Sequence, residues 1–227
     1  MTTVALAEEL LLLAYDDETG KAIGSRIGLD LGMAAALLVE LALAHRLALA
    51  DGAIVVVNPK PIGDPIADDV LAKVAGDTPH TPASWVQRLR HGLRDRVLAD
   101  LCARGVMRDV DETTMEFIHL HRYPTVDASV EQDVRARLAA ALAGDSIPDE
   151  RTAALATILA AVRMEPVLRL PDGELAAAHR RLEEIAAQAG FAGGVNLEGS
   201  TVRPSVAIVV AALIRAIETA LGRAKAQ

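Results

Sequence analysis

A cluster of basic residues stands out in a chain that is acidic as a whole. Residues 88–96 read Arg-Leu-Arg-His-Gly-Leu-Arg-Asp-Arg, and a Thr-Pro cap signal just upstream predicts a helix that runs to about Ala103. On one helix, Arg90, His91 and Arg94 are three and four residues apart and share a face. Two guanidinium groups and an imidazole can hold a phosphate through charge-assisted hydrogen bonds. The spacing predicts an anion site. The alternative is a solvated helix face with local Arg–Asp pairs.

No other motif points to a reaction. His119 and His121 are two apart on a predicted strand, but no nearby cysteine or aspartate completes a metal-ligand set, so we expect no metal and no cofactor. The sequence contains no phosphate-cradling glycine loop, no Gly-x-Ser-x-Gly and no Cys-x-x-Cys. These observations favour a protein that is not an enzyme. Paired carboxylates leave no motif, so an enzyme with a deep pocket stays open as an alternative.

Composition limits the classes of partner. The formal net charge of −8 argues against a chain that coats nucleic acid, so an anion site must be a local patch. Hydrophobic residues make up 52% of the chain but aromatic residues only 2%, so the core must be built from Ala, Leu, Val and Ile, which favours closely packed helices. The single cysteine, Cys102, fits a reducing compartment.

Neither end of the chain reads as a membrane or export signal. Glu8 and Glu9 interrupt the apolar N-terminal run, which has no basic flank, so a signal peptide is not expected. The longest apolar stretch, Val206–Ile214, is closed by Arg215 and Glu218 and is shorter than the roughly 20 residues that a span needs. We therefore expect a cytoplasmic protein that is at most peripheral on a membrane.

The hydrophobic periodicity predicts a mainly α fold, and no composition shift divides the chain, so residues 1–227 are expected to form one domain. A hairpin is predicted at Leu47–Val57, around the Asp51-Gly52 turn signal. A second hairpin is predicted with the arms Val106–Asp109 and Met115–His121 around a turn at 111–114. Helices are predicted near residues 4–15, 28–49, 66–74, 81–103, 129–143, 148–162, 172–189 and 204–222.

The second hairpin predicts self-association. Met115, Phe117 and His119 alternate onto one face of its second arm, and Ile118 and Leu120 lie on the other. A two-stranded hairpin is marginal alone, and two apolar faces need two covers. One cover is the protein's own core and the other is predicted to be a second subunit, which gives a homo-oligomer.

A helix followed by a hairpin occurs twice, because residues 38–42 precede the first hairpin much as the similar residues 98–102 precede the second. Winged-helix modules have this order, which keeps a DNA-binding regulator as a less favoured alternative. It would need a basic recognition helix, and only the segment Arg88–Arg96 could serve as one.

Several segments resemble one protein family. Three segments are similar to the opening of Golgi phosphoprotein 3 proteins: residues 8–13, the Asp17-Glu18-x-Gly20 turn and residues 37–47. Arg94-Asp95-Arg96 leading to Leu101 and Gly105-Val106 is similar to the family's central helix and its exit into a β-hairpin, and the C-terminal helix from Val206 matches as well. The resemblance covers most of the chain.

The resemblance implies a single helical domain with a protruding β-hairpin, and a function in binding phosphatidylinositol 4-phosphate and the cytoplasmic tails of membrane-bound glycosyltransferases. The family's head-group tryptophan falls at Ser25, its first pocket arginine at Ala34, and its two basic central-helix positions at His91 and Arg94. We expect Arg26, next to the lost tryptophan, to compensate.

Arg90 is expected to contribute to the same pocket, which gives a shallow cationic site. Without the tryptophan, no side chain is expected to insert into the membrane, so binding should be mainly electrostatic. The leading hypothesis is a peripheral membrane adaptor that binds an anionic phospholipid and partner proteins, but no nucleic acid. The alternative is a cytosolic interaction scaffold with a degenerate lipid pocket.

Overall fold

The computed structural model describes residues 4–114, 118–144, 148–192 and 204–225 and is mainly α-helical. Two antiparallel hairpins, β1 Leu47–Ala50 with β2 Ala53–Val56 and β3 Val110–Thr114 with β4 Ile118–Arg122, interrupt the helices. A short 3-10 helix spans Glu165–Leu168. The α-helices are α1 Leu6–Leu13, α2 Arg26–Leu43, α3 Pro65–Gly76, α4 Pro82–Leu89, α5 Leu93–Ala103, α6 Ser129–Ala143, α7 Glu150–Val162, α8 Asp172–Gln188 and α9 Pro204–Lys225.

The predicted fold class is confirmed: the described residues form a mainly α protein with two small hairpins. Each predicted helix is found, and the predicted 81–103 helix is divided into α4 and α5. The assignment of residues 1–227 to one domain stays a prediction.

The core is centred on α1 and α2. Every residue of α1 is buried, and α2 packs closely against it at Gly32, where an added Cβ would lie 2.8 Å from Leu10 Cδ2 and 3.2 Å from Val162 Cγ1. Small residues therefore allow the helices to approach, as an Ala- and Leu-rich composition with few aromatic residues predicts. This packing fixes the direction in which the N-terminus of α2 points.

Buried ion pairs hold α1 in place. Glu9 is 3% exposed, and its Oε1 lies 2.9 Å from Arg151 Nε of α7. Arg151 Nη1 also lies 2.8 Å from Glu40 Oε1 of α2, and Glu40 Oε2 accepts a hydrogen bond of 2.7 Å from the Leu6 backbone N–H. Through Arg151 of α7, Glu9 of α1 and Glu40 of α2 therefore join three helices.

The C-terminal helix is longer than the apolar run predicts. Ser205–Ala224 is long and apolar enough to cross a membrane by length and composition, so the expectation of a stretch that is too short is wrong. The helix continues through Arg215 and Glu218, which point away from its buried side. Its residues Val209 and Leu213 are fully buried in the protein core. A core helix of this kind meets the same length and composition criteria as a membrane span.

The first hairpin is confirmed, and the second has a different register from the predicted one. Asp51 and Gly52 have φ angles of 50° and 75°, the left-handed pair that a tight hairpin turn requires. In the second hairpin, Asp111 to Thr114 are not the turn. They belong to β3, where Asp111 pairs with His121, because β-branched threonines suit a strand better than polarity alone suggests.

Only some of the predicted oligomerisation residues lie in the part of the chain that the structure describes. Met115 and Phe117 lie outside the described residues, and Ile118 and Leu120 are placed by their backbone in β4, opposite Thr114 and Glu112. Self-association through this hairpin stays a prediction.

Candidate anion-binding site

The basic cluster is divided by a helix break. α4 ends at Leu89, Arg90 is its C-terminal cap, and Gly92 adopts a left-handed φ of 71° as the N-terminal cap of α5. The prediction that Arg90, His91 and Arg94 share one helix face is therefore wrong. Glycine reaches this conformation at little steric cost, so the chain turns between the two helices instead of continuing. The segment also offers no continuous basic recognition helix for DNA.

Arg94 lies in the first turn of α5 and contacts α2. Its Nη1 lies 3.3 Å from Oδ1 of Asp30, and the two side chains are 13% and 25% exposed. This ion pair joins the N-terminal parts of α5 and α2. The charge of Arg94, the pocket residue that matches the family pattern unchanged, is thus compensated by the Asp30 carboxylate.

The start of α2 carries the other predicted site residues. Ser25 is exposed and caps the helix, with its Oγ accepting a hydrogen bond of 3.1 Å from the Gly28 backbone N–H. Arg26 is the first residue of α2 and is exposed, and it forms no ion pair within the described ranges. Since Asp30 follows Arg26 by four residues, both side chains lie on the same side of the helix.

The charges around this site affect the pKa of the Tyr15 phenol. Burial raises the pKa of Tyr15, while the positive charges of Arg94 and Arg26 act in the opposite direction. The carboxylates of Asp95 and Asp30 raise this pKa further. Two arginines and two aspartates therefore act on one buried phenol at the end of α1. Arg26 and Arg94 thus both lie near enough to Tyr15 to affect its pKa, and their use in one anion site stays a prediction.

An aromatic chain connects Tyr15 to the second hairpin. Its ring meets Tyr123 edge-on at 5.8 Å, and Tyr123 stacks on His121 at 6.4 Å. His121 Nδ1 lies 2.9 Å from Asp109 Oδ1, an interaction that raises the pKa of His121. Gly20 allows this approach, because a Cβ there would lie 2.5 Å from the Tyr123 backbone nitrogen. The base of the second hairpin therefore lies next to Tyr15.

The remaining basic residues of the cluster differ in their partners. Arg88 and Arg96 are paired with Asp77 and Asp69, as the solvated-face alternative predicts. Arg90 forms no ion pair with any described residue, and its buried Nε has no hydrogen-bond partner. His91 is exposed and also forms no ion pair in the described part of the chain. Two residues of the cluster, Arg88 and Arg96, are thus paired at the surface. Arg90 and His91 have no ion-pair partner among the described residues.

Two further positions change the predicted character of the site. Ala34, where the family has an arginine, is fully buried, so that charge has no equivalent at this position. Ile27 is 47% exposed beside Arg26. An apolar side chain is therefore exposed at this edge, and the expectation that none inserts into the membrane stays a prediction. The position of Ile27 beside polar residues, before the buried part of α2, is the sequence signal that favours its exposure.

These features define a mainly helical protein with an exposed basic and apolar edge at the start of α2. A sequence model of Golgi phosphoprotein 3 matches residues 6–218, and the chain belongs to this family. Vacuolar protein sorting-associated protein 74 of Eremothecium gossypii is 24% identical over 164 residues, which cover 62% of this chain and 49% of that relative. The chain thus spans about half the length of the curated relative.

Proposed function

We propose that this protein is a peripheral membrane adaptor whose exposed edge at the starts of α2 and α5 binds an anionic phospholipid head group. The observation that carries the proposal is the 3.3 Å contact between Arg94 Nη1 and Asp30 Oδ1, which places Arg94 against the N-terminal part of α2, where Arg26 and Ile27 are exposed. Family membership supports an adaptor. The vacuolar sorting named for the relative supports a role at membranes.

The charges favour weak, salt-dependent binding. Arg26, Arg90 and His91 have no carboxylate partner among the described residues, whereas Arg94 is compensated by Asp30. An anionic surface therefore meets a modest local excess of positive charge on a protein of net charge −8. Exposed charges are screened beyond about 8–10 Å near physiological ionic strength.

The apolar contribution comes from one side chain. An isoleucine that moves from water into an apolar environment gains roughly 1.5–3 kcal/mol when it is fully transferred. Only about half of the Ile27 side chain is exposed and can be transferred, so the gain is a fraction of that value. Head-group attraction and shallow insertion together suit a protein that associates reversibly with the cytoplasmic face of a membrane. Cytoplasmic tails of membrane enzymes are the proposed partner proteins.

A second candidate function is a cytosolic interaction scaffold that binds no lipid. It is favoured by the Asp30–Arg94 pair and by the burial of Ala34, since both reduce the positive charge available at the site. The Ser25 hydroxyl is also engaged in capping α2. The two functions differ in one measurable property, which is vesicle binding at low salt.

The test is co-sedimentation with phosphatidylcholine vesicles that contain phosphatidylinositol 4-phosphate, phosphatidylglycerol or cardiolipin. We expect binding at low salt that falls at high salt, and weaker binding for Arg26→Ala, Arg90→Ala, Arg94→Ala and Ile27→Ser. Arg180→Ala on α8 and Ile208→Ser on α9 are matched controls, because Arg180 is exposed without an ion pair to a described residue and Ile208 is 52% exposed.

Two results would reject the lipid-binding proposal. One is no binding by the parent protein at low salt to any of the three lipids. The other is equal binding by the parent protein and all four site variants. The first result favours the scaffold, and the second shows that lipid binds somewhere other than this edge.

A further inference from the structure

We propose that Asp30 is a resident counter-anion of this site, which holds Arg94 in the free protein and which a phosphate group must displace in order to bind. The inference rests on the proposed function. It goes further because it assigns the affinity of the site to a carboxylate inside it. The ligand chemistry is a phosphate oxyanion, carried either by a lipid head group or by a soluble molecule.

The geometry places this carboxylate against Arg94, on the side of α2 that also carries Arg26. Asp30 Oδ1 lies 3.3 Å from Arg94 Nη1, and Asp30 shares a side of α2 with Arg26, one helical turn earlier. Both arginines and Asp30 act on the same buried phenol of Tyr15. A phosphate oxygen that approaches Arg94 from the exposed start of α2 therefore meets the Asp30 carboxylate at the same guanidinium.

The exposure of the Arg94–Asp30 pair determines how strongly Asp30 competes with a phosphate group for Arg94. The Arg94 side chain is 13% exposed and that of Asp30 25%, so water screens the interaction only in part. A guanidinium can donate to two acceptors, but two anions at one guanidinium repel each other. Head-group binding must therefore turn Asp30 away from Arg94 or accept that repulsion. Both lower the affinity.

A second reading gives Asp30 the opposite effect. As a positioning residue, it would hold Arg94 in the orientation that the head group needs, and its loss would weaken binding. The counter-anion and positioning roles thus predict changes of opposite sign for the same substitution. Asp30→Asn removes the charge with little change in shape, so it separates the two roles.

The chain offers a matched control. Arg96 on the same helix pairs with Asp69 of α3, and this pair lies outside the site. Asp69→Asn removes one negative charge from the protein and one ion pair from α5, as Asp30→Asn does. A gain in affinity that appears in both variants would be a general charge effect.

The experiment measures vesicle binding at low salt for the parent protein, Asp30→Asn, Asp30→Glu and Asp69→Asn, with phosphatidylinositol 4-phosphate in phosphatidylcholine. We expect Asp30→Asn to bind about three- to fivefold more tightly, a factor typical of a partly exposed ion pair. Asp30→Glu and Asp69→Asn should stay near the parent. The gain should shrink at high salt and in the Arg94→Ala background, where Asp30 has no guanidinium to occupy.

The outcomes separate this inference from the proposed function. If the parent binds through Arg26 but Asp30→Asn binds equally or more weakly, or gains as much in the Arg94→Ala background, the counter-anion role is wrong and lipid binding stands. In the second arm, the same variants are titrated with inorganic phosphate, and the rise in thermal midpoint measures binding. A gain for phosphate without vesicle binding keeps Asp30 as counter-anion and rejects the membrane function. No gain in either arm overturns the inference.

Discussion

Arg151 Nη1 of α7 lies 2.8 Å from Glu40 Oε1 of α2, and the same guanidinium contacts the buried carboxylate of Glu9. Removing the arginine would leave Glu9, which is 3% exposed, with less compensation for its charge. We therefore expect Arg151→Met to lower the free energy of unfolding by about 3 kcal/mol in urea denaturation. Arg180→Met is the surface control and should change it by less than ~0.5 kcal/mol. Equal effects of the two substitutions would contradict this role.

Gly32 is expected to resist substitution despite its position in a helix. An added Cβ would lie 2.8 Å from Leu10 Cδ2 and 3.2 Å from Val162 Cγ1 in the packed core. Gly32→Ala should lower the thermal midpoint, because overpacking costs about 1–3 kcal/mol and exceeds the gain in helix propensity. Gly222→Ala in α9 meets open space and should be neutral or stabilising. A stabilising Gly32→Ala would show that α1 and α2 are not this close.

The stability of the protein should fall as pH rises from about 5 to 7.5. Burial raises the pKa of Glu8 from 4.5 to about 7, against the opposing effects of the Ala5 N–H and of Arg104. Burial likewise raises the pKa of Glu131 to about 7. Because the folded state then binds more protons than the unfolded state between these values, each rise in pH in this window favours unfolding.

Glu8→Gln should reduce this slope, because glutamine carries no titrating proton and its amide oxygen can still accept from the Ala5 N–H. The measurement is urea denaturation at a series of pH values, with the exposed Glu174→Gln as control. A slope that is unchanged in Glu8→Gln would show that Glu8 titrates near its ordinary pKa in the folded protein.

The second hairpin is predicted to carry self-association. Asp111 pairs with His121, so residues 112–120 can be replaced by Asn-Gly to give a short hairpin that retains the contact of Asp109 with His121. We expect the parent protein to be an oligomer in light scattering and the shortened variant to be a monomer of unchanged helicity. A parent protein that is strictly monomeric at high concentration would refute the prediction.

The fold was largely predictable because each helix combines apolar periodicity with a local start or stop signal. The break at Gly92 was missed because glycine inside a helix costs only about 1 kcal/mol, so its presence alone does not end a helix. The second hairpin was misplaced because Asp111 to Thr114 are polar like a turn, whereas pairing with β4 determines the register.

Spacing and the family resemblance both singled out Arg94, and Arg26 was proposed because it is next to the position of the family's tryptophan. That these residues bind a ligand stays a prediction. Asp30 could not be found from spacing or resemblance, because its role depends on a contact between α2 and α5 that no local pattern encodes. The exposure of Ile27 could not be predicted without knowing which way the first turn of α2 faces, because most of the following residues of that helix are buried.

We propose that the start of α2 contacts the membrane. The most direct measurement uses an environment-sensitive fluorophore on Ile27→Cys in a Cys102→Ala background, since Cys102 is the only cysteine. Ile208→Cys on α9 is the matched exposed control. With vesicles that contain phosphatidylinositol 4-phosphate at low salt, we predict a shift to shorter emission wavelength for the Ile27 label alone, and none with phosphatidylcholine. Co-sedimentation without that shift, or a shift at Ile208 alone, would contradict the claim.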